Sequence, residues 1–399
     1  LLLTSLRSAD RPRILEGVRV LDFTAVVAGP YCTRLMADLG ADVLKIEPRE
    51  GDLMRHTPPF RDGASALFSQ LNAGKRSLAL DLKQPAALAL VKRLVPHYDV
   101  VVENFSPGVM ARFGLDYPAL VALRPDLVMC SISGFGQTGP HAHKPAFAPI
   151  VHAWSGYDAV TLGYQDEARK PLNMGLPVAD NMAAVQAFGA IMAALYHRLA
   201  KGVGQYIDIS MYDTLLASMQ KDFQQMQYPE GRDRRYGPLA TRDGHVLVVL
   251  LTQRQFEQLA DALGRPALKA DPRFATTTAR LGHYAALMAT IGEWCADLST
   301  AEAVARLEAA GVPVSPYREL AAALDDPQLA HREMLTRVVD AAGPLTVPDS
   351  PFLFSATTAA VRPAVPGLGE HGLAVLRDEL GLGDPDCRDL RQRGIVGGP

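Results

Sequence analysis

The early alternation of short apolar runs with helix-period segments is the feature that most constrains this fold. Val18–Phe23 reads as a short buried strand. Ala28-Gly29-Pro30 then leads into a helix over about 31–39, which Gly40 is placed to stop. Asp42–Ile46 reads as a second strand and Arg76–Leu82 as a third; Ala86–Leu94 has helical spacing and ends at Pro96. Val100–Glu103 and Leu127–Ile132 return to apolar runs of strand length. Such runs, alternating with helices, join by right-handed β-α-β crossovers around a mostly parallel sheet. The expected fold class is therefore α/β.

Residues 1–16 read as a loose arm. The stretch from Gly139 to Gly175 contains Pro140, Pro145, Pro149 and Pro171 and reads as a long covering loop with short elements. Asn181–Leu199 is helical by its stripe of Met182, Val185, Phe188, Met192 and Tyr196, and Tyr206–Ile209 and Met211–Met219 follow as strand and helix. A second unit begins near 225. Within it, Gly244–Leu251 reads as a strand, Gln255–Leu263 and Tyr284–Leu298 as helices, and Ser299 with Glu302 as a capping box. The tail from about 340 is rich in Pro and Gly, with one helix near Leu368–Leu380.

A chain of 399 residues is long enough for two domains, and a net charge of -3 argues against a general nucleic-acid binder. Cys32, Cys130, Cys295 and Cys387 form no Cys-x-x-Cys pair and read as isolated thiols of a reducing compartment. The opening Leu1–Arg7 is too short for a secretory apolar core, and no apolar run approaches the roughly 20 residues needed to cross a bilayer. The expectation is a cytoplasmic protein with neither nucleic-acid nor membrane partners.

Two elements carry the chemistry. Gly134-Phe135-Gly136-Gln137-Thr138-Gly139 follows an apolar strand and matches a dinucleotide fingerprint in form. That mechanism needs a helix opening within the motif, which Pro140, Pro145 and Pro149 oppose. The turn reads instead as either a plain tight turn or a backbone nest for an acyl or phosphate group, with Gly134, Gly136 and Gln137 as candidate donors. The second element is Asp180, at the start of the alanine-rich helix. It reads first as an N-cap; the same placement also suits a carboxylate nucleophile already ionised at neutral pH. His141-x-His143 lacks a third ligand, so no metal site is expected.

From these residues outward the chain resembles the class III coenzyme A transferases, a family that also includes the α-methylacyl-CoA racemases. The matching stretches are Gly17–Phe23 through Pro30, Leu39–Glu47, Leu71–Ser77, Leu80–Lys83, Val102–Gly108, the Ser133–Pro140 turn, Gly204–Asp208 and Asp326–Gln328. The resemblance implies a Rossmann-like large domain over 1–224, a small domain over 225–330, and a segment over 331–399 returning to the large one. It also implies an interlocked homodimer. Asp180 would be the catalytic residue, attacking an acyl-CoA thioester and passing CoA to a free carboxylic acid. No tightly bound cofactor is implied; the CoA thioester is substrate. CoA contacts carried over by the resemblance fall on Lys75, Arg76, Asn104, Phe105 and Arg112. Lys144, Arg169 and Lys170 are candidates for recognising a second carboxylate, hence a small dicarboxylic acid. The alternatives are a racemase, whose histidine position is taken here by Phe147 with His143 and His152 displaced, and a non-catalytic acyl-CoA scaffold. Val27 stands where formyl/oxalate-type members carry glutamine, and Ala184 where a glycine is usual.

Overall fold

The structure, a computed structural model, describes residues 7, 11–164, 170, 175–229 and 236–398. It divides into two compact units: Leu1–Ala159, Pro171–Met219 and Gln328–Pro399 form one, and Val160–Lys170 with Gln220–Pro327 the other.

The larger unit is built on six parallel strands: β1 (Arg19–Asp22), β2 (Asp42–Glu47), β3 (Arg76–Ala79), β4 (Val100–Glu103), β5 (Val128–Ser133) and β6 (Tyr206–Ser210). Their spatial order is 3-2-1-4-5-6. The order reverses between β1 and β4, where Leu21 pairs with Val101 and Asp22 with Val102. In open α/β sheets the crevice outside the carboxyl ends at such a reversal is where ligands bind.

Alternation along the strands divides the core in two. Val20, Val43, Val102 and Cys130 face helices α1 (Ala28–Asp38), α4 (Val178–Lys201) and α5 (Met211–Ser218). Leu21, Leu44, Leu78, Val101 and Met129 face helix α2 (Pro85–Leu94) and the C-terminal Val375, Leu376, Ile395 and Val396. Helix α1 begins three residues earlier than its sequence suggests, with Pro30 tolerated in the first turn. Gly29 permits this start, because a Cβ there would lie 2.2 Å from the Cβ of Thr24.

Helix α4 is long and apolar enough to cross a bilayer by length and composition, contrary to the sequence expectation. Its alanines explain that profile: Ala179, Ala183, Ala184 and Ala187 are fully buried in the core shared with α1. Ala184 thus takes up packing space against the sheet. The N-terminal arm is also tied more firmly than expected. Arg7 pairs with Asp349 at 2.9 Å, and Arg13 donates to the carbonyls of Asp38 and Ala360. The Gly139–Gly175 stretch, read as a covering loop, contains helix α3 (Ala148–Ser155) and a further short helix, Tyr157–Leu162.

The smaller unit packs Phe256, Leu259, Phe274, Leu287, Ile291 and Leu307 over a three-stranded antiparallel sheet. Its capping box at Ser299 and Glu302 forms as expected, with both reciprocal bonds present. The tail departs further from its sequence reading. Leu335–Asp340 and Gly343–Pro348 pair as a hairpin, and a helix at Asp384–Gln392 follows the expected one.

Candidate active site

The loop leaving β1 is gripped on every side. Asp22 accepts from the Thr24 amide at 2.9 Å, the Thr33 hydroxyl at 2.7 Å and the Lys75 ammonium at 3.0 Å. Lys45 donates to the Thr24 carbonyl at 2.6 Å and pairs with Asp52 at 2.9 Å. Asp52 in turn accepts from the Val26 amide at 3.2 Å. Val26 is held at φ +70°, a left-handed conformation that a β-branched residue adopts only under constraint. The loop ends at Ala28, the first residue of α1.

Asp180 lies opposite this loop. Its helix begins at Val178, so the carboxylate occupies the third helical position, and the N-cap role suggested by the sequence falls to Pro177, which offers no side-chain acceptor. The Asp180 carboxylate instead faces the backbone amides of Ala28 and Ala148, the first residues of α1 and α3, whose N–H dipoles favour its ionised form. The amino ends of three helices therefore converge on one side chain, and each favours the anion. Burial outweighs them and pushes the Asp180 carboxyl up to about 6. It is still mostly ionised at neutral pH.

Asp180 lines a cleft of about 140 Å³ together with Ala25, Val26, Ala28, Asn104, Phe105, Ser133, Gly134, Lys144 and Phe147. Ser133 is buried in that wall, and its hydroxyl has no hydrogen-bond partner. A neighbouring cavity of about 350 Å³ is lined by Arg49, Leu53, Leu80, Lys83 and Phe113, with the carboxylates of Glu50 and Asp81 also in its wall. Ala25 and Phe105 line both spaces, so the two adjoin across these residues. Both lie at the β1/β4 reversal.

Of the residues singled out by sequence, Asp180, Gly134, Asn104, Phe105 and Lys144 meet at the cleft. Gly134 is required there: a Cβ would lie 2.2 Å from that of Ala146. The rest of the turn looks elsewhere. The Gln137 amide is bound to Asp208 at 2.9 Å, its side chain lines a separate cavity with Tyr117 and Tyr206, and Gly136 packs near Asp208.

Lys75 and Arg76, candidate CoA contacts by sequence, are both engaged within the protein. Lys75 is buried among Asp22, the Pro30 carbonyl and Asn72, and burial pulls its ammonium down to about 8. Arg76 is paired with Asp42 at 2.7 Å and Glu379 at 2.8 Å. Their charges hold strands together and line neither cavity. Arg112 is exposed at the end of Val109–Phe113, outside both linings. Lys144 is exposed with its ammonium 3.8 Å from the centre of the Trp154 ring. Lys170 is exposed and belongs to the smaller unit, and Arg169 lies outside the described residues.

Neither displaced histidine lines the cleft, whereas Phe147 does. His152 is buried, and its Nε2 accepts from the Ala179 amide at 3.0 Å. Among the described residues no cluster suits a metal ion. Sequence reasoning missed Arg49 and Lys83. Each follows closely on the carboxyl end of a parallel strand, which is the signal that could have marked them.

A family model described as CoA-transferase family III matches residues 15–372. A succinyl-CoA–D-citramalate CoA-transferase of Chloroflexus aurantiacus is 36% identical over 96% of this chain and 98% of its own. A succinate–glutarate CoA-transferase of Agrobacterium fabrum is 34% identical over 92% and 96%. Among solved structures, a CAIB/BAIF family protein from Brucella suis superposes with a TM-score of 0.80 at 31% identity, covering 92% of this chain and all of that one. Rv3272 from Mycobacterium tuberculosis gives 0.83 at 30% identity, covering 91% and 99%.

Proposed function

Because the chain belongs to CoA-transferase family III, and so is an enzyme moving CoA between an acyl-CoA and a carboxylic acid, we propose that Asp180 is its nucleophile and a small dicarboxylic acid its acceptor. One observation carries this reading. Among the described residues, Asp180 is the only carboxylate lining a small cleft, and the cleft adjoins a larger cavity whose wall includes Arg49 and Lys83 beside Glu50 and Asp81. The acyl end of a CoA thioester fits the first space and its phosphates the second.

In the reaction, an Asp180 oxygen attacks the thioester carbonyl and CoA leaves as thiolate, giving an acyl-aspartyl anhydride. The thiolate attacks the aspartyl carbonyl, releasing the donor acid and leaving an aspartyl-CoA thioester. The acceptor carboxylate attacks that thioester, forming a new anhydride and freeing the thiolate. The thiolate then attacks the acceptor's acyl carbon, which leaves as its CoA ester and restores Asp180. Thioester energy passes from one ester to the next, so no ATP is consumed. The amides of Ala28 and Ala148 already point at the carboxylate, and they are placed to stabilise negative charge building on its oxygen.

Lys144 supports the dicarboxylate. Among the described residues it is the only cation lining the cleft, and its ammonium lies against the Trp154 ring. The acids named for the relatives, succinate, citramalate and glutarate, are dicarboxylic as well. Among the described residues, Asp180 and Lys144 are the only ionisable groups in the lining, a poor match to the two opposed acid/base groups of a racemase. The proposal includes an interlocked homodimer, supported by the apolar residues that α4 leaves exposed: Val185, Tyr196 and Leu199, the last at 85%.

Mass spectrometry of the protein quenched during turnover with succinyl-CoA tests the assignment. The expected result is a CoA-sized adduct on the peptide carrying Asp180. Transfer of CoA to a dicarboxylic acid with an adduct on any other residue would refute it.

A further inference from the structure

Helix α3 touches the Asp180 segment at two points one helical turn apart. The Ala148 amide, at its first position, faces the Asp180 carboxylate and favours its ionised form. The His152 imidazole, four residues on and therefore on the same face, accepts from the Ala179 amide at 3.0 Å. The second contact fills a gap in the sequence of α4. The first amides of a helix have no partner within it, and Pro177 supplies no capping oxygen. A ring nitrogen from another helix does the capping. Accepting at Nε2 requires a lone pair there, which fixes the neutral ring with its proton on Nδ1.

We propose that His152 is a positioning residue for Asp180, capping the helix that carries the nucleophile and fixing its carboxylate against the amides of Ala28 and Ala148. The inference rests on the transfer reading above. His152 is 3% exposed, its ring lies 5.1 Å from that of Tyr157, and it does not line the cleft, so it acts on the reaction only through the Asp180 backbone. A protonated ring would carry N–H at both nitrogens and could no longer accept from Ala179. Burial holds the imidazole below its ordinary value, which keeps it neutral; Asp158 on the following helix opposes that shift, and Asp180 follows the donor directly.

The test compares His152→Gln, whose amide oxygen can still accept, with His152→Leu, which cannot. At pH 8, His152→Leu is expected to lower kcat by about tenfold or more, with KM for the acyl-CoA within about twofold, as for a misplaced reacting group. His152→Gln is expected to stay within about threefold of wild type. As pH falls, wild-type kcat/KM should first fall in proportion to proton concentration as Asp180 is protonated, then approach a second-order fall where His152 also takes up a proton, until the contribution of the cap is lost. In His152→Gln the fall should become first-order. This second readout stands even if His152→Leu does not fold. A His152→Leu enzyme with wild-type kcat, or a His152→Gln enzyme that keeps the second-order fall, overturns the inference. A wild type that transfers no CoA overturns the transfer reading, and this one with it.

Discussion

The side chain of Asn104 holds both backbone polar groups of Ala25: its Oδ1 accepts from the Ala25 amide and its Nδ2 donates to the Ala25 carbonyl, each at 2.8 Å. Asn104 follows β4 and Ala25 follows β1, so this pair stitches together the two loops at the sheet's reversal. The next residue, Val26, is the one held left-handed, at a cost of about 1–3 kcal/mol. Such a conformation persists only where neighbours over-determine it, and Asn104 with Asp52 does so here. The result is a fixed position for Ala28, whose amide faces Asp180.

Asn104→Ala removes both bonds and lets the loop relax. Denaturant unfolding should show a loss of about 1–3 kcal/mol, the sum for two part-buried hydrogen bonds. Turnover should fall as well, because the Ala28 amide would no longer be held against the carboxylate. Unchanged turnover with reduced stability would mean that the clamp serves the fold alone.

Asp180 makes the native state less stable above pH 6 than it would be without that charge. Its carboxyl is raised to about 6 in the folded chain, against about 3.9 when unfolded. The native state therefore binds the extra proton between these values, and stability falls as pH rises through them. Above pH 6 the full penalty is present: at most about 3 kcal/mol, and less because water still reaches part of the group. Asp180→Asn should accordingly unfold at higher denaturant than wild type at pH 8, with the advantage fading as pH drops toward 4. A variant less stable than wild type at pH 8 would contradict the buried-anion account.

The sheet was legible in the sequence because strands buried on both faces read as continuous apolar runs. Val100–Glu103 is such a run, and its bounds match the structure. Asp180 was legible as a residue but its surroundings were not. The amides that face it come from Ala28 and Ala148, more than 30 positions away at one end and in an unpatterned loop at the other. The internal partners of Lys75 and Arg76 were hidden for a related reason. A cation beside a strand end looks alike in sequence whether it faces a phosphate or a buried carboxylate, and the partners Asp22, Asp42 and Glu379 are distant in the chain. The C-terminal hairpin escaped because Pro344 and Pro348 both lie within its second strand, where proline ordinarily argues against one.

Lys144 offers a test of the acceptor class. Lys144→Gln removes the cation lining the cleft, and with it the ammonium contact to Trp154, while keeping a polar side chain of similar length. For a dicarboxylic acceptor, kcat/KM should fall about fivefold, the scale of an exposed ion pair. A monocarboxylic acceptor of similar length should lose almost nothing. Equal losses for both acids would place the second carboxylate elsewhere.

The adjoining cavity makes a separate prediction about CoA itself. Arg49 and Lys83 edge it, whereas Lys75 and Arg76 are committed to Asp22, Asp42 and Glu379. Arg49→Ala with Lys83→Ala should raise KM for the acyl-CoA by about tenfold, leaving kcat near wild type, because phosphates distant from the thioester bind ground state and transition state alike. Exposed charges are screened by salt, so the difference from wild type should shrink as ionic strength rises from about 0.01 M to about 0.5 M. Shortening the substrate to an acyl-pantetheine, which carries no phosphate, should abolish the difference altogether. A KM that responds to Arg76 and ignores both cavity cations would return the phosphates to the sequence-derived site and remove the larger cavity from the CoA path.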